Sequence, residues 1–218
     1  MDGQTERRIK DFLEKIPSGV KVVAATKCRS IELVSECPAH GIFAAGENRV
    51  QELLSKYQPV EGLEWHFIGQ LQTNKVKYIL DKVSLIQSLD RVSLADKLEE
   101  ECAKRGLTMP VLVEVKHGEE LTRDGVSPDG LMAFAEYVRG KKHLTLNGLM
   151  TVMPLGSEKS AFLYKKTYKL FEKLRENFGS DIKWLSMGMS VDYLTAIENG
   201  SNMIRPGRAL FGERFYAT

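Results

Sequence analysis

Val22-Val23-Ala24-Ala25-Thr26-Lys27 is a short apolar run that ends in a single lysine. A run of this kind, without polar alternation, is typical of a strand buried on both faces, and such strands belong to parallel sheets covered by helices. A buried ammonium without a partner is too costly to keep. Lys27 is therefore predicted to be either ion-paired or placed for chemistry, and this stretch alone favours neither interpretation.

Short apolar runs alternate with helical patterns along the rest of the chain. The predicted strands are residues 20–26, 42–45, 64–68, 84–88, 111–115, 144–150, 183–186 and 203–205. The predicted helices are residues 4–16, a short helix capped by Ser30, 47–57, a helix through Val76 and Leu80, 94–104, 128–139, 157–178 and 191–199.

This alternation predicts an α/β fold. Strands joined by helices form right-handed parallel crossovers, and eight such units predict a (β/α)8 TIM barrel with an extra N-terminal helix. The alternative is an open doubly wound sheet, and the lack of a GxGxxG motif after the first strand weakens its dinucleotide-binding form. Because no Pro/Ser-rich linker or shift in composition is seen, residues 1–218 are expected to form a single domain.

Composition excludes several classes of protein. The 31 basic and 29 acidic residues leave a net charge of +2, which provides no global field for nucleic acid or a membrane surface. The three cysteines, Cys28, Cys37 and Cys102, form no CxxC pair and indicate a reducing compartment. No run has the length of a signal peptide or a membrane span, so a soluble cytoplasmic protein is expected. Cys28 is expected to point away from Lys27 into the core.

Polar residues and glycines recur where the predicted strands end. In a barrel of this type the functional residues gather at those ends. The residues found there are Lys27, Gly46-Glu47-Asn48, His66, Gly69-Gln70, Ser88, Lys116 and His117, Met150-Thr151, Ser186 to Ser190, and Arg205 to Arg208.

The last two clusters suggest an anion site. Residues 186–190 form a small, hydroxyl-bearing turn before a helix, where free N–H groups favour an anion. Gly207 allows a close backbone approach on the neighbouring strand. Either cluster alone is explained by capping or by a turn glycine. The two together favour a phosphate cup, which recurs after strands seven and eight of such barrels.

A phosphate cup and a lysine at one barrel mouth suggest pyridoxal 5′-phosphate (PLP), whose aldehyde forms a Schiff base with a lysine amine. Arg205 then acquires a role, because a guanidinium can donate to the pyridine nitrogen but cannot accept a proton from it. A surface ion pair is the alternative for Arg205.

Several motifs carry a family resemblance that spans nearly the whole chain. They are Ala24 to Lys27, Gly46 to Glu52, Trp65 to Lys75, Gly148 to Thr151, Leu185 to Ser190, and Arg205 to Glu213. Together they resemble the pyridoxal phosphate homeostasis proteins, the single-domain relatives of alanine racemase.

The resemblance implies a PLP fold-type III barrel, with Lys27 as the Schiff-base lysine and Arg205 facing the pyridine nitrogen. The remaining cofactor-binding residues that it implies are Asn48, Met150, Ser186, Gly188, Ser190, Gly207 and Arg208. No metal site is expected. His66 either reaches the mouth or is buried between strand and helix, and Glu47 and Gln51 are equally explained as structural partners on one helical face.

Four positions depart from the pattern of the family. Arg208 replaces a threonine that follows the glycine, and Lys116 replaces an asparagine. Arg123 stands at a usual lysine position, and Arg29 replaces a second lysine two residues after Lys27. A secondary cofactor site that relied on those lysines is therefore in doubt.

Three functions remain open. A racemase needs a second acid/base group, which alanine racemases take from a C-terminal domain. The chain ends at Thr218, so that domain is expected to be absent, and Val152 stands where the racemases carry a histidine. The first hypothesis is a monomeric PLP carrier that serves vitamin B6 homeostasis and supplies PLP-dependent apo-enzymes without specific catalysis. The alternatives are a small PLP-dependent amino-acid racemase or lyase, and a phosphate-ligand barrel without aldehyde chemistry.

Overall fold

A closed barrel of eight parallel strands organises the structure, a computed structural model that describes residues 1–117, 125–153 and 160–213. The strands are β1 (Lys21–Ala25), β2 (Ala44–Glu47), β3 (Glu64–Phe67), β4 (Leu85–Leu89), β5 (Met109–Glu114), β6 (Leu144–Met150), β7 (Trp184–Ser186) and β8 (Met203–Ile204). The barrel closes where Lys21 and Val22 of β1 pair with Met203 and Ile204 of β8. The predicted TIM barrel is confirmed, and the open-sheet alternative is wrong.

Helices precede the barrel, connect its strands and follow the last strand. They are α1 (Gly3–Leu13), α2 (Ile31–Ser35), α3 (Val50–Lys56), α4 (Val92–Arg105), α5 (Leu131–Arg139), α6 (Ser160–Phe178), α7 (Tyr193–Glu198) and α8 (Arg208–Phe211). Two further segments, Cys37–His40 and Thr73–Tyr78, are 3₁₀ helices. In the described ranges no helix is both long and apolar enough to cross a membrane.

The connection between β3 and β4 differs from the predicted α-helix through Val76 and Leu80. Its backbone forms hydrogen bonds between residues three apart, from Lys75 N–H to Gln72 O at 2.9 Å and from Ile79 N–H to Val76 O at 3.1 Å. Such 3₁₀ bonding suits short connectors. The apolar spacing therefore identified the buried residues of this segment but not the type of helix.

Strand β2 lies two residues further along the chain than predicted. Ile42 N–H donates to Cys37 O at 3.0 Å, which keeps Ile42 in the preceding turn. Pairing with β1 then begins at Ala44, opposite Val23. Glu47 is consequently the last residue of the strand, and the prediction that it begins a helix over residues 47–57 is wrong.

The side chains of β1 point alternately into the barrel interior and into the layer beneath the helices. Val23 belongs to a buried cluster inside the barrel, which consists of Val23, Ala44, Leu85, Leu112, Met150 and Met203. Val22 and Ala24 face the other way and pack with Ile9 and Phe12 of α1. This N-terminal helix is capped by Asp2, whose carboxylate accepts a hydrogen bond from Thr5 N–H at 2.8 Å.

A glycine is required where β6 passes between its neighbours. The register with β5 skips one residue, since Val111 pairs with Leu146 but Leu112 pairs with Gly148. Gly148 has a φ of 149°, and a Cβ placed there would lie 1.9 Å from the carbonyl oxygen of Trp184 in β7. The backbones of β6 and β7 are thus too close at this point for any side chain.

We expect Gly148→Ala to lower the free energy of unfolding by at least about 3 kcal/mol, because the new methyl group meets backbone atoms that cannot rotate away. Urea titration followed by circular dichroism measures the loss. Gly3→Ala is the matched control, since nothing lies within 4 Å of a Cβ at that position. Equal midpoints for the two variants would contradict the expectation.

Candidate functional site

Lys27 stands just beyond the carboxyl end of β1. Thr26 is fully buried and continues the strand, with its N–H donating to Gly46 O at 3.1 Å. Lys27 is half-buried in the turn that follows, at the end of the barrel where the carboxyl ends of the strands form the mouth. Among the residues that the structure describes, none forms a hydrogen bond or ion pair with its amine. Of the two interpretations of this lysine, the arrangement supports placement for chemistry.

Cys28 turns the chain sharply away from the mouth. It has a φ of 60°, the one non-glycine residue with positive φ in the described ranges, and its thiol is exposed. The prediction that Cys28 packs in the core is therefore wrong. Strand alternation no longer applies, because the strand has ended. The carboxylate of Glu52 accepts a hydrogen bond from Cys28 N–H and stabilises the turn.

Lys56 of α3 holds the backbone on both sides of Lys27. Its amine donates to Thr26 O at 2.9 Å and to Arg29 O at 3.2 Å. It also forms ion pairs with Glu47 at 2.6 Å and with Glu52 at 3.2 Å. We call Lys56 and these two carboxylates the lysine clamp. It determines where the loop leaves the barrel and hence where Lys27 lies.

Glu47 is enclosed completely within the clamp. Burial raises the pKa of its carboxyl, while hydrogen bonds from Lys56 and Thr26 act in the opposite direction. Its Oε2 atom has no hydrogen-bond partner among the described residues. The partnership with Gln51 that helical spacing suggested is replaced by contacts with Thr26 and Lys56.

Arg205 lies inside the barrel, with 4% of its surface exposed. One guanidinium nitrogen donates to Ser186 Oγ at 2.6 Å, and the other donates to Thr151 O at 2.7 Å. Burial lowers the pKa of Arg205, while the nearby Glu114, Tyr164 and Asp192 act in the opposite direction. Because a guanidinium titrates so far above neutrality, the group stays a cation. A surface ion pair, the alternative interpretation of Arg205, is wrong.

The turns after β7 and β8 are joined by one hydroxyl. Ser190 Oγ accepts hydrogen bonds from Gly207 N–H at 2.9 Å and from Ala209 N–H at 3.2 Å. Within the described residues, the backbone N–H groups of Ser190 and Arg208 have no acceptor. The two turns therefore present a hydroxyl and free N–H donors side by side, which suits an anion.

Gly188 brings helix α7 against the turn after β7. Its φ is 97°, and a Cβ there would lie 2.6 Å from the Cβ of Ala196. Its carbonyl accepts a hydrogen bond from Arg205 N–H at 2.9 Å. The same residue therefore sets both the turn and the backbone position of Arg205.

The remaining predicted residues are distributed around the mouth. Asn48 is half-buried after β2, and Met150 is fully buried at the end of β6. Arg208 is exposed, with its guanidinium 3.8 Å from Glu213. Ser186 lies deeper than the turn to which the sequence assigned it, since its hydroxyl contacts Arg205 and also donates to Gln87 at 2.6 Å.

Lys116 and His66 lie in different environments. Lys116 is half-buried after β5, and Arg123 lies outside the described residues. His66 is buried in the barrel interior and bonded to Gln87 and Glu64, so neither predicted location, the mouth or the strand–helix interface, is right. Among the described residues, no group of three or more His, Cys, Asp or Glu side chains is placed to hold a metal ion.

Sequence reasoning missed several residues around Arg205. Gln87 was overlooked in favour of Ser88, although alternation from Leu85 places Gln87 inside the barrel and Ser88 outside. Tyr164 and Asp192 were also missed, and the Tyr164 hydroxyl donates to the Asp192 carboxylate at 2.7 Å. Asp192 in turn accepts a hydrogen bond from Met189 N–H at 2.7 Å. No local pattern signals this contact between α6 and the turn.

Known proteins are similar in sequence over nearly the whole chain. A sequence model of the family described as "Alanine racemase, N-terminal domain" matches residues 3–215. The pyridoxal phosphate homeostasis protein of Aquifex aeolicus (strain VF5) is 41% identical over 216 residues, which cover 96% of this chain and 95% of that protein. This chain belongs to the pyridoxal phosphate homeostasis protein family. The Mus musculus protein of the same name is 34% identical, with 90% of this chain and 78% of that protein covered.

Solved structures agree with membership of the homeostasis protein family. PipY of Synechococcus elongatus PCC7942, with PLP bound, has a TM-score of 0.85 at 28% identity and covers 96% of this chain and 100% of that chain. The alanine racemase of Clostridium difficile 630 in complex with cycloserine has a TM-score of 0.79 at 16% identity. The superposition covers 98% of this chain and 59% of the racemase chain. At 16% identity the likeness shows the fold alone.

We expect Lys56→Met to lower the free energy of unfolding by about 3 kcal/mol, because it leaves the enclosed Glu47 carboxylate without its cation. Lys104→Met is the matched control. Lys104 also contacts two carboxylates, Glu100 and Glu101, but its side chain is 56% exposed, so a change of at most about 0.5 kcal/mol is expected. Equal losses in urea titrations of the two variants would show that the clamp does not stabilise the fold.

Proposed function

We propose that this protein binds PLP and serves intracellular PLP homeostasis, with the cofactor held as a Schiff base on Lys27. The observation that carries the proposal is a half-buried lysine that has no partner among the described residues and whose flanking backbone is held by a second lysine. The names of the relatives and the PLP bound to PipY support the same conclusion.

The residues around the mouth fit the three chemical parts of PLP. The amine of Lys27 suits the aldehyde and would hold it as a Schiff base, with loss of one water molecule. The guanidinium of Arg205 is a permanent donor and suits the ring nitrogen. The hydroxyl of Ser190 and the free N–H groups at Ser190 and Arg208 suit the phosphate.

Other site residues take supporting roles. We assign Gly188 and Gly207 to the shape of the phosphate turns, and Asn48 and Met150 to contacts beside the cofactor. Ser186 acts through Arg205, because its hydroxyl is bonded to that guanidinium. Arg208 contributes its backbone N–H, since its side chain is exposed next to Glu213.

PLP supplies an aldehyde and an electron sink when it is bound. Arg205 would donate a hydrogen bond to the ring nitrogen and cannot accept a proton from it, so a ring held against this guanidinium would be a weak electron sink. This favours holding the cofactor over using it in catalysis. We therefore propose a carrier that works in the cytoplasm as a monomer and supplies PLP-dependent apo-enzymes. A small racemase or lyase is the second candidate, favoured by the fold shared with alanine racemase.

Addition of PLP to the protein is expected to produce a visible absorption band that free PLP lacks and that is lost on borohydride reduction, which fixes the cofactor to Lys27. Lys27→Ala abolishes the band and the adduct detected by peptide mass spectrometry. Lys116→Ala, which removes another half-buried lysine that follows a strand, retains both. Phosphate-dependent binding without any band or adduct would replace the proposal by a barrel that binds a phosphate ligand without aldehyde chemistry.

Incubation of the PLP-loaded protein with L- and D-alanine in deuterated water separates the carrier from the racemase. A carrier is expected to exchange the Cα proton no faster than free PLP does, and NMR of the Cα signal measures the rate. Fast exchange that disappears in Lys27→Ala would establish the racemase or lyase instead.

A further inference from the structure

A continuous line of hydrogen bonds crosses the barrel interior from Arg205 to its opposite end. Arg205 donates to Ser186 Oγ at 2.6 Å, and Ser186 donates to Gln87 Oε1 at 2.6 Å. Gln87 Nε2 contacts His66 Nδ1 at 2.9 Å, and His66 Nε2 contacts the Glu64 carboxylate at 3.3 Å. Three strands, β3, β4 and β7, and the residue that follows β8 contribute to this line, which we call the interior relay.

The donors and acceptors of the interior relay run in one direction. Arg205 has no acceptor, so the Ser186 oxygen accepts from it, and the Ser186 hydroxyl donates onward to Gln87 Oε1. Gln87 therefore presents its oxygen to Ser186 and its NH₂ group to His66. The second N–H of that amide points to Met203 Sδ at 3.3 Å, which agrees with this orientation.

The orientation of the Gln87 amide determines which nitrogen of His66 carries the proton. Because Nδ1 accepts from Gln87, the ring is neutral and carries its proton on Nε2, from which it donates to Glu64. Burial lowers the pKa of His66; the Glu64 carboxylate raises it, and the Lys21 amine of β1 lowers it further. Lys21 forms an ion pair with the same carboxylate. A proton on Nδ1 would face the Gln87 NH₂ group and break the sequence of bonds.

The interior relay thus runs from a cation to an anion with every donor aligned. Aligned hydrogen bonds in a low-dielectric interior polarise one another and strengthen the set. Ser186, Gln87 and His66 are all at most 1% exposed, so water cannot replace a missing member. The orientation of the Arg205 guanidinium therefore depends on groups that lie far from the barrel mouth.

We propose that Gln87 is a positioning residue, which orients the Arg205 guanidinium toward the bound ligand through Ser186 and holds His66 in its neutral Nε2–H form. The effect on PLP rests on the function proposed above, whereas the state of His66 does not. The two parts can therefore be tested separately, the first with PLP and the second without it.

The first arm uses the protein without PLP and nitrogen-15 NMR of its histidine rings. Wild-type His66 is expected to show the neutral Nε2–H form at neutral pH and to keep it below the pH at which a free imidazole protonates, because its pKa is lowered. In Gln87→Glu the new carboxylate accepts from Nδ1, so His66 becomes doubly protonated under the same conditions. His117, which contacts Thr167 at 2.6 Å on the other side of the sheet, is the reference within the same spectrum and is expected to stay unchanged.

The second arm measures the dissociation constant of PLP. Gln87→Leu leaves Ser186 without its acceptor, and we expect binding to weaken roughly tenfold, about 1.4 kcal/mol. Gln87→Glu keeps an acceptor for the Ser186 hydroxyl and is expected to bind within about threefold of the wild type. If Gln87 had only a structural role, the two variants would not differ in PLP affinity while the protonation of His66 changes in Gln87→Glu.

Several results would overturn the inference. These are an Nδ1–H form of wild-type His66, an unchanged His66 spectrum in Gln87→Glu, or Gln87→Leu binding PLP within twofold of the wild type. If Gln87→Leu fails to fold, Ser186→Ala takes its place, and an unchanged His66 spectrum in that variant counts against the interior relay. Failure of the wild type to bind PLP would instead refute the proposed function and leave the first arm intact.

Discussion

A guanidinium enclosed by eight strands must find its hydrogen-bond acceptors in the protein, and this requirement governs the interior of the barrel. Such interiors are ordinarily filled by layers of branched apolar side chains. Here Arg205 occupies one position and is satisfied by Ser186 and Thr151. Ser186 then needs an acceptor of its own, which Gln87 provides. A single buried cation thus explains why polar residues lie on inward-facing positions of β4 and β7.

The architecture could be predicted because it depends on a pattern that the chain repeats. Short apolar runs separated by helical spacing leave few alternatives to parallel crossovers, and β6 was predicted with the bounds it has. Register was harder to predict. The run Ile42 to Ala45 is apolar throughout, so nothing in it shows that pairing begins at Ala44. The choice is made by a hydrogen bond to Cys37 in the preceding turn.

Only part of the candidate site could be predicted, since strand ends identify residues but not their partners. Lys27 was identified because it follows a buried run, and Arg205 because it follows another. The partnership of Glu47 with Lys56 spans a strand end and a helix, and no spacing rule connects them. Gln87 was not predicted and His66 was misplaced for a different reason. Their inward orientation follows from the alternation of side chains counted from the start of each strand, whereas the prediction considered only the residues at the carboxyl ends.

The lysine clamp has a consequence for reactivity. Two primary amines, those of Lys27 and Lys56, belong to the same small region. The ammonium of Lys56 is committed to two carboxylates and two carbonyl oxygens, so its nitrogen lone pair is withheld from any electrophile. Lys27 has no such commitment among the described residues. The fold therefore distinguishes these two lysines, because it uses Lys56 to hold the loop and leaves the amine of Lys27 available to an incoming carbonyl compound.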